Sequence, residues 1–462
     1  MARPVDEKKA QILLNDPVER LIPKMAVPTI IAQLITMIYN LTDTYFVSRL
    51  GTNATAAVGV NSTIEQAINM MGMLIGVGAS SYIARLLGAK RRDDADRVFS
   101  TCMFSGVMLG LVLMAVCLTL ITPLVRLLGA DANCEQYSIQ YGQYVLLAAP
   151  FMVISFIMNQ CLRSEGSATL AMIGIGFGGI LNCALDPIFI FSMGLGIAGA
   201  SMATAISKVV SCVILLYPYL RKRSTVALGL KKIAFKKEDA REVVSIGSAS
   251  FVRSFMGVLA NTLMNRAAGA YSTAILAAIS VSNRVLMLPF NIILGFGQGY
   301  QPVAGFNWGA RRYDRTEKSL SFAMKVSLIG GILMGAVFFL FAQPIITLFN
   351  SAADAEVLEI GRLCIRLQSI VLPVHAFLSV INMFYSGIGR PREAMILGLA
   401  RQGYCFLPMV YLLPLIFGGT GLAGAQAAAD LLSLAVAVPF GLKALHLVRT
   451  KRAEQRAGAV SA

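Results

Sequence analysis

The sequence predicts an all-α integral membrane protein: twelve transmembrane helices in two six-helix lobes, related by a pseudo-twofold axis along the membrane normal. Composition is the first reason. Of 462 residues, 56% are hydrophobic and only 14% charged, against about 25% charged in ordinary soluble domains. Apolar runs are the second reason, because they recur along the chain near the roughly 20 residues needed to cross a bilayer. The third is internal repetition. A shift of 221 residues superposes Gly76 on Gly297, Gly88 on Gly309, Arg91 on Arg312, Gly110 on Gly331 and Pro123 on Pro344. Small insertions then carry Pro150 onto Pro373 and Asn159 onto Asn382. A period this long marks two duplicated halves rather than a solenoid.

Taken in order, residues 1–22 form a cytoplasmic N-terminal segment of mixed charge without an apolar signal core, so no cleaved leader is expected. An N-lobe at 23–220 holds spans near 23–48, 56–84, 98–121, 137–160, 168–192 and 196–220. A basic cytoplasmic linker, RKRSTVALGLKKIAFKKEDAR, fills 221–241. The C-lobe at 242–446 repeats the pattern near 242–266, 273–304, 319–342, 360–385, 394–417 and 420–446, before a cytoplasmic tail at 447–462. Six spans per half is an even number, so both halves enter the membrane in the same sense. Parallel repeats of this kind rock about a central site, which points to alternating access.

The net charge of +16 raises nucleic acid as a partner, but its distribution argues against it. Basic residues crowd into alternate loops: the N-terminal segment, Lys90–Arg92, the central linker and Arg311–Arg315. This positive-inside bias puts both termini and the linker in the cytoplasm, with the lipid bilayer as the surrounding partner. The eight cysteines lie mostly in apolar runs and show no CxxC spacing, so they read as packing residues. An enzyme is disfavoured. The only histidines, His375 and His446, are far apart, and no phosphate loop, metal-ligand spacing or nucleophile motif occurs.

Carboxylates inside spans carry the functional reading, since a charge at membrane depth is rare and marks function by default. Asp43 lies in the first span with Thr36, Tyr39 and Asn40 at helical spacing, forming one polar stripe. Glu65 follows in the second span. In the fifth, Asn182 and Asp186 share a face, and Pro187 interrupts the helix beside them. The sixth offers Ser201, Thr204 and Ser207. Such oxygens suit Na⁺ or a proton; their alternative role is to brace neighbouring helices. Pro28 permits a bend in the first span that would move Asp43, or serves as a simple packing kink. Tyr141 and Gln140, with Tyr137 and Tyr144, offer an aromatic wall for organic cations or an interfacial belt. Gly174 and Gly178 read as a close helix-packing motif.

The halves do not share their chemistry. Met264 stands where Asp43 falls under the 221-residue shift. The second half instead buries Arg253, Arg284 and Arg401, with Asp430 and His375. These read either as an arginine–Asp430 brace or as a basic cavity wall suited to zwitterionic or anionic substrates.

The stretches LTDTYFVSRLGTNATAAVGV, LGAKRRDD paired with NWGARRYD, GFGQGYQPVAGFNWGA and NCALDPIFIFSMGLGIAGASMATAIS together resemble the multidrug and toxic compound extrusion (MATE) family over residues 15–447. The resemblance implies a prokaryotic inner-membrane antiporter with a central cavity, expected to work as a monomer. It would export amphipathic, mostly cationic small molecules in exchange for H⁺ or Na⁺, with no other cofactor. Asp43 resembles the family's first-span coupling carboxylate. Asn182, Asp186 and Thr204 match the N-lobe cation-site pattern, and Pro28 matches the proline where that span bends. Together Asp43, Asn182, Asp186 and Thr204 are the expected Na⁺ ligands, if the ion is Na⁺. Spans seven and ten carry Arg253, Asn261, Asn265, Gln368 and His375 where some relatives carry acids, which argues against a second Na⁺ site in the C-lobe. The alternative within transport is a lipid-linked precursor flippase or an exporter of zwitterionic or anionic metabolites.

Overall fold

A computed structural model describes residues 11–349 and 355–460, all of whose regular elements are helical. The spanning helices are α1 (Val18–Ser48), α2 (Thr52–Gly88), α3 (Arg92–Thr119), α4 (Glu135–Ser164), α5 (Ala168–Pro187) and α6 (Gly196–Leu220). The second set is α7 (Lys237–Tyr271), α8 (Thr273–Gly309), α9 (Tyr313–Leu340), α10 (Ala355–Gly387), α11 (Pro391–Gln402 with Phe406–Phe417) and α12 (Gly421–Val460). Among the described residues, eleven stretches are long and apolar enough to cross a membrane. The last of them, Pro391–Ala457, contains both α11 and α12. Twelve crossings result.

In each half the fourth helix is the hub. α4 packs on α2, α3 and α6, and α10 packs on α8, α9 and α12. The duplicated residues explain why. Gly110 on α3 brings its backbone against Pro150 of α4, and Gly331 on α9 does the same against Pro373 of α10. A Cβ at either glycine would come within 2.5 and 2.6 Å of the proline Cα. Asn159 then donates 2.9 Å to the Ala171 carbonyl, and Asn382 donates 2.6 Å to that of Ala394. These bonds fix how α5 and α11 start from the hub. The paired basic turns are also duplicates. Lys90 and Arg311 hold φ of 59° and 56°, a left-handed conformation costing a non-glycine residue roughly 1–2 kcal/mol. In return Arg91 N–H reaches the Leu86 carbonyl at 2.8 Å, and Arg312 N–H reaches that of Asn307 at 3.0 Å. Both bonds satisfy carbonyls orphaned at a helix end.

The chain divides into two compact units. The first takes Ile31–Gly247 and the described residues before Asp16. The second takes Asp16–Ile30 and the chain from Ser248. The sequence places the first lobe at 23–220. The difference has a packing cause. Gly78 of α2 leaves no room for a Cβ against the Val243 backbone, and Gly247 none against Leu74, so the start of α7 lies on α2. Reciprocally, Gly295 and Gly299 of α8 abut the backbone of Ile30 and Ala26 on α1. Each half's first helix therefore begins packed on the second helix of the other half.

Two further segments are tied into the fold. The basic linker at 221–241 is held by ion pairs and hydrogen bonds. Glu165 accepts from Ser224 Oγ at 2.7 Å and from Thr225 N–H at 2.6 Å, and Asp96 accepts from Ala227 N–H at 2.7 Å and pairs with Lys232. Arg97 and Arg85 complete the attachment through Asp239 at 3.0 Å and Glu242 at 2.8 Å. The tail, in turn, continues α12 as helix, with Arg449 and Arg452 paired to Glu317 at 2.8 and 2.9 Å.

Candidate functional site

Four helices of the first unit contribute to one buried polar cluster. Asp43 on α1 is 8% exposed and Asp186 on α5 is fully buried. Tyr141 on α4 donates its hydroxyl to Asp43 Oδ2 at 3.4 Å. Asn182 donates from Nδ2 both to Thr204 Oγ1 at 3.2 Å and to Asp186 Oδ1 at 3.3 Å. Two short runs result, Asp186–Asn182–Thr204 and Tyr141–Asp43, and the two carboxylates lie in each other's electrostatic reach. Local chemistry sets the aim of α5. Pro187 has no N–H to donate, and the helix passes into a π turn over Ile188–Ser192 just after Asp186.

The cluster leaves three acceptors unused. Asp43 Oδ1, Asp186 Oδ2 and Asn182 Oδ1 are all buried and have no hydrogen-bond partner. Buried polar atoms are almost always satisfied, and an ionised carboxylate can only accept. A proton on a carboxylate, or a hard cation taking several oxygens, supplies what is missing. The donor set therefore fits either coupling ion.

Beside this cluster lies a cavity of about 220 Å³, lined in part by Gln33, Thr36, Tyr39, Asn182, Thr204 and Lys208. Lys208 escaped the sequence reading. It sits four residues after Thr204 on the same face of α6, donates to the Tyr39 hydroxyl at 2.7 Å, and lies 4.8 Å from that ring's centroid. Asp43 and Glu65 both lie within its electrostatic reach. A lone ammonium at membrane depth costs on the order of 2.5–3.5 kcal/mol. Its signal in the sequence is a single base in the middle of the apolar run 196–220.

The other expected residues divide. Glu65 is half-buried and shares the field of Asp43 and Lys208. Thr36 lines the cavity but bonds back to the Ala32 carbonyl at 2.9 Å. Asn40 and Gln140 are exposed and stand outside the polar cluster. Ser201 bonds within its own turn, at 3.1 Å to the Ala198 carbonyl. Pro28 sits within a continuous α1, where Thr29 donates 2.9 Å to Met25 O. Tyr141 belongs to the carboxylate cluster, whereas Tyr137 is exposed, so these tyrosines do not form one wall.

In the second unit, Arg401 pairs with buried Asp430 at 2.7 Å and covers the Phe290 ring at 4.5 Å. Gln426 also donates to Asp430, at 3.2 Å, and His375 meets Phe290 edge-on at 4.9 Å between centroids. Arg253 is half-buried, its stem packed over Gly398, and it makes no ion pair among the described residues. Arg284 is exposed. Met264 lies in an apolar cluster with Ala260, Ile279 and Phe406, so the Asp43-equivalent position is ordinary core.

The MatE family model matches residues 28–188 and 249–412, most of both halves. The chain belongs to the MatE family. Multidrug export protein MepA of Staphylococcus aureus (strain NCTC 8325 / PS 47) is 27% identical over 408 residues, covering 88% of this chain and 90% of that protein. Its counterpart in Staphylococcus saprophyticus is 26% identical over 398 residues, covering 86% and 87%. A crystal structure of MATE in complex with MaL6 superposes with a TM-score of 0.91 at 26% identity, covering 96% of this chain and 99% of the other. A MOP superfamily transporter from Pyrococcus furiosus, described by the reverse polarity of its binding pocket, superposes at 0.89 with 27% identity and the same coverage. This MatE protein is thus a multi-span membrane transporter of the multidrug-export type, with twelve helices in two lobes.

Proposed function

We propose that this MatE protein exports amphipathic, mostly cationic small molecules in exchange for H⁺ or Na⁺, with Asp43 and Asp186 as the coupling carboxylates. The observation that carries this is the set of three unpartnered buried oxygens on Asp43, Asp186 and Asn182. Filling them with a proton or cation changes the charge of the first unit's interior. That change biases the conformational balance by the ion's differential affinity for the two states, and by no more. Entry of the ion from outside neutralises the acids and favours release of the exported compound. The protein is read as a carrier rather than an enzyme, working as a monomer in a prokaryotic inner membrane. The basic loops favour cytoplasmic termini.

The test is flux in proteoliposomes under separately imposed pH and Na⁺ gradients. Concentrative export of a lipophilic cation should follow one gradient and vanish in Asp43→Asn. Undiminished gradient-driven export in that variant would remove Asp43 from the coupling.

A second reading has one observation in its favour. Arg253, without an acidic partner, suits the negative group of a zwitterionic or anionic substrate. Competition by a set of anionic amphiphiles against a set of cationic ones, in wild type and Arg253→Gln, separates the readings. Selective loss of anion competition in the variant favours the second.

A further inference from the structure

Lys208 is the one charged group in the cavity lining. Its polar partner is the neutral Tyr39 hydroxyl, and it forms no ion pair among the described residues. Asp43 and Tyr39 stand one turn apart on α1, so a four-carbon stem held at Tyr39 stays close to Asp43. The titratable groups in its field are Tyr39 and Asp43 from α1 and Glu65 from α2, while Tyr141 from α4 bonds to Asp43 and Asp186 from α5 lies in the field of Asp43. Two carboxylates therefore act directly on one ammonium. The oxygens left open on Asp43, Asp186 and Asn182 would otherwise suit a metal cation.

Resting on the coupling role of these acids, we propose that Lys208 is a tethered cation standing in for Na⁺, which leaves the proton as this transporter's coupling ion. The ammonium supplies the positive charge the carboxylates require and repels a second cation of the same charge. A proton still enters, because it adds to a carboxylate oxygen and needs no coordination shell.

The experiment compares wild type, Lys208→Met and Lys208→Arg, purified at full length. Melting temperature in detergent is measured in NaCl against choline chloride at matched ionic strength. Wild type and Lys208→Arg should not respond to the replacement, whereas Lys208→Met should gain a Na⁺-dependent rise. In proteoliposomes, wild-type export should follow a pH gradient and ignore a Na⁺ gradient at fixed pH. Na⁺ stabilisation or Na⁺-driven export in the wild type overturns the proposal, as does a Lys208→Met protein indifferent to Na⁺. The melting comparison needs no active protein, so a transport-dead variant still decides. Failure of the underlying coupling reading looks different: Asp43→Asn would keep its pH-driven flux.

Discussion

At the scale of single residues, the first unit holds its acids through donors that leave half of each carboxylate open. Asn182 spends both amide hydrogens on Thr204 and Asp186, so it is the joint of its run. Asn182→Leu should uncouple flux from the driving gradient while the protein still expresses, since a similar volume replaces the amide. Flux ratios with and without the gradient check this; an unchanged ratio removes Asn182 from the site. Asp43 and Asp186 were legible from sequence because a carboxylate inside an apolar run is conspicuous. Tyr141 was legible only as an aromatic, because spacing along one helix says nothing of what stands across from it. Lys208 was hidden for another reason. A long basic stem in mid-span can reach outwards or turn inwards, and this one turns into the cavity.

At the scale of helices, the glycines of α2 and α7 decide whether the two can meet. Gly247→Val puts a branched side chain against the Leu74 backbone, which cannot yield as a side chain end would. Overpacking of this kind costs about 1–3 kcal/mol, read as a lower melting temperature in detergent. The buried pair of α11 and α12 gives a contrasting case. Arg401→Leu leaves Asp430 a buried, unpaired charge and should cost about 3–5 kcal/mol, whereas the double variant with Asp430→Leu should recover most of it. If the double variant is no more stable than the single, the pair is not the brace its geometry indicates. The break in α11 at Gly403–Cys405 was not anticipated. Span length and hydropathy average over both pieces, and the strongly apolar Phe406–Phe417 carries the window past the break.

At the scale of the whole molecule, the duplication was readable as matched residues, and the structure explains what each match does. Gly110 with Pro150, and Gly331 with Pro373, set the same hub contact twice. The exchange of first helices was not readable, because which helix a glycine faces depends on tertiary packing. The ties of the linker were not readable for a similar reason. Its partners Asp96 and Glu165 lie more than fifty residues away in the chain. Glu165→Gln should loosen this segment, seen as faster proteolysis of residues 221–236 in the folded protein; unchanged cleavage would mean the other ties suffice.

The two halves repeat an architecture around different interiors, acidic in the first and largely basic in the second. One measurement tests the resulting account most directly: gradient-driven export of a lipophilic cation by proteoliposomes containing wild type, Asp43→Asn or Asp186→Asn. Accumulation against the substrate gradient is expected in wild type and should be lost in both variants. Wild-type accumulation in either of them would contradict the coupling role assigned to these carboxylates.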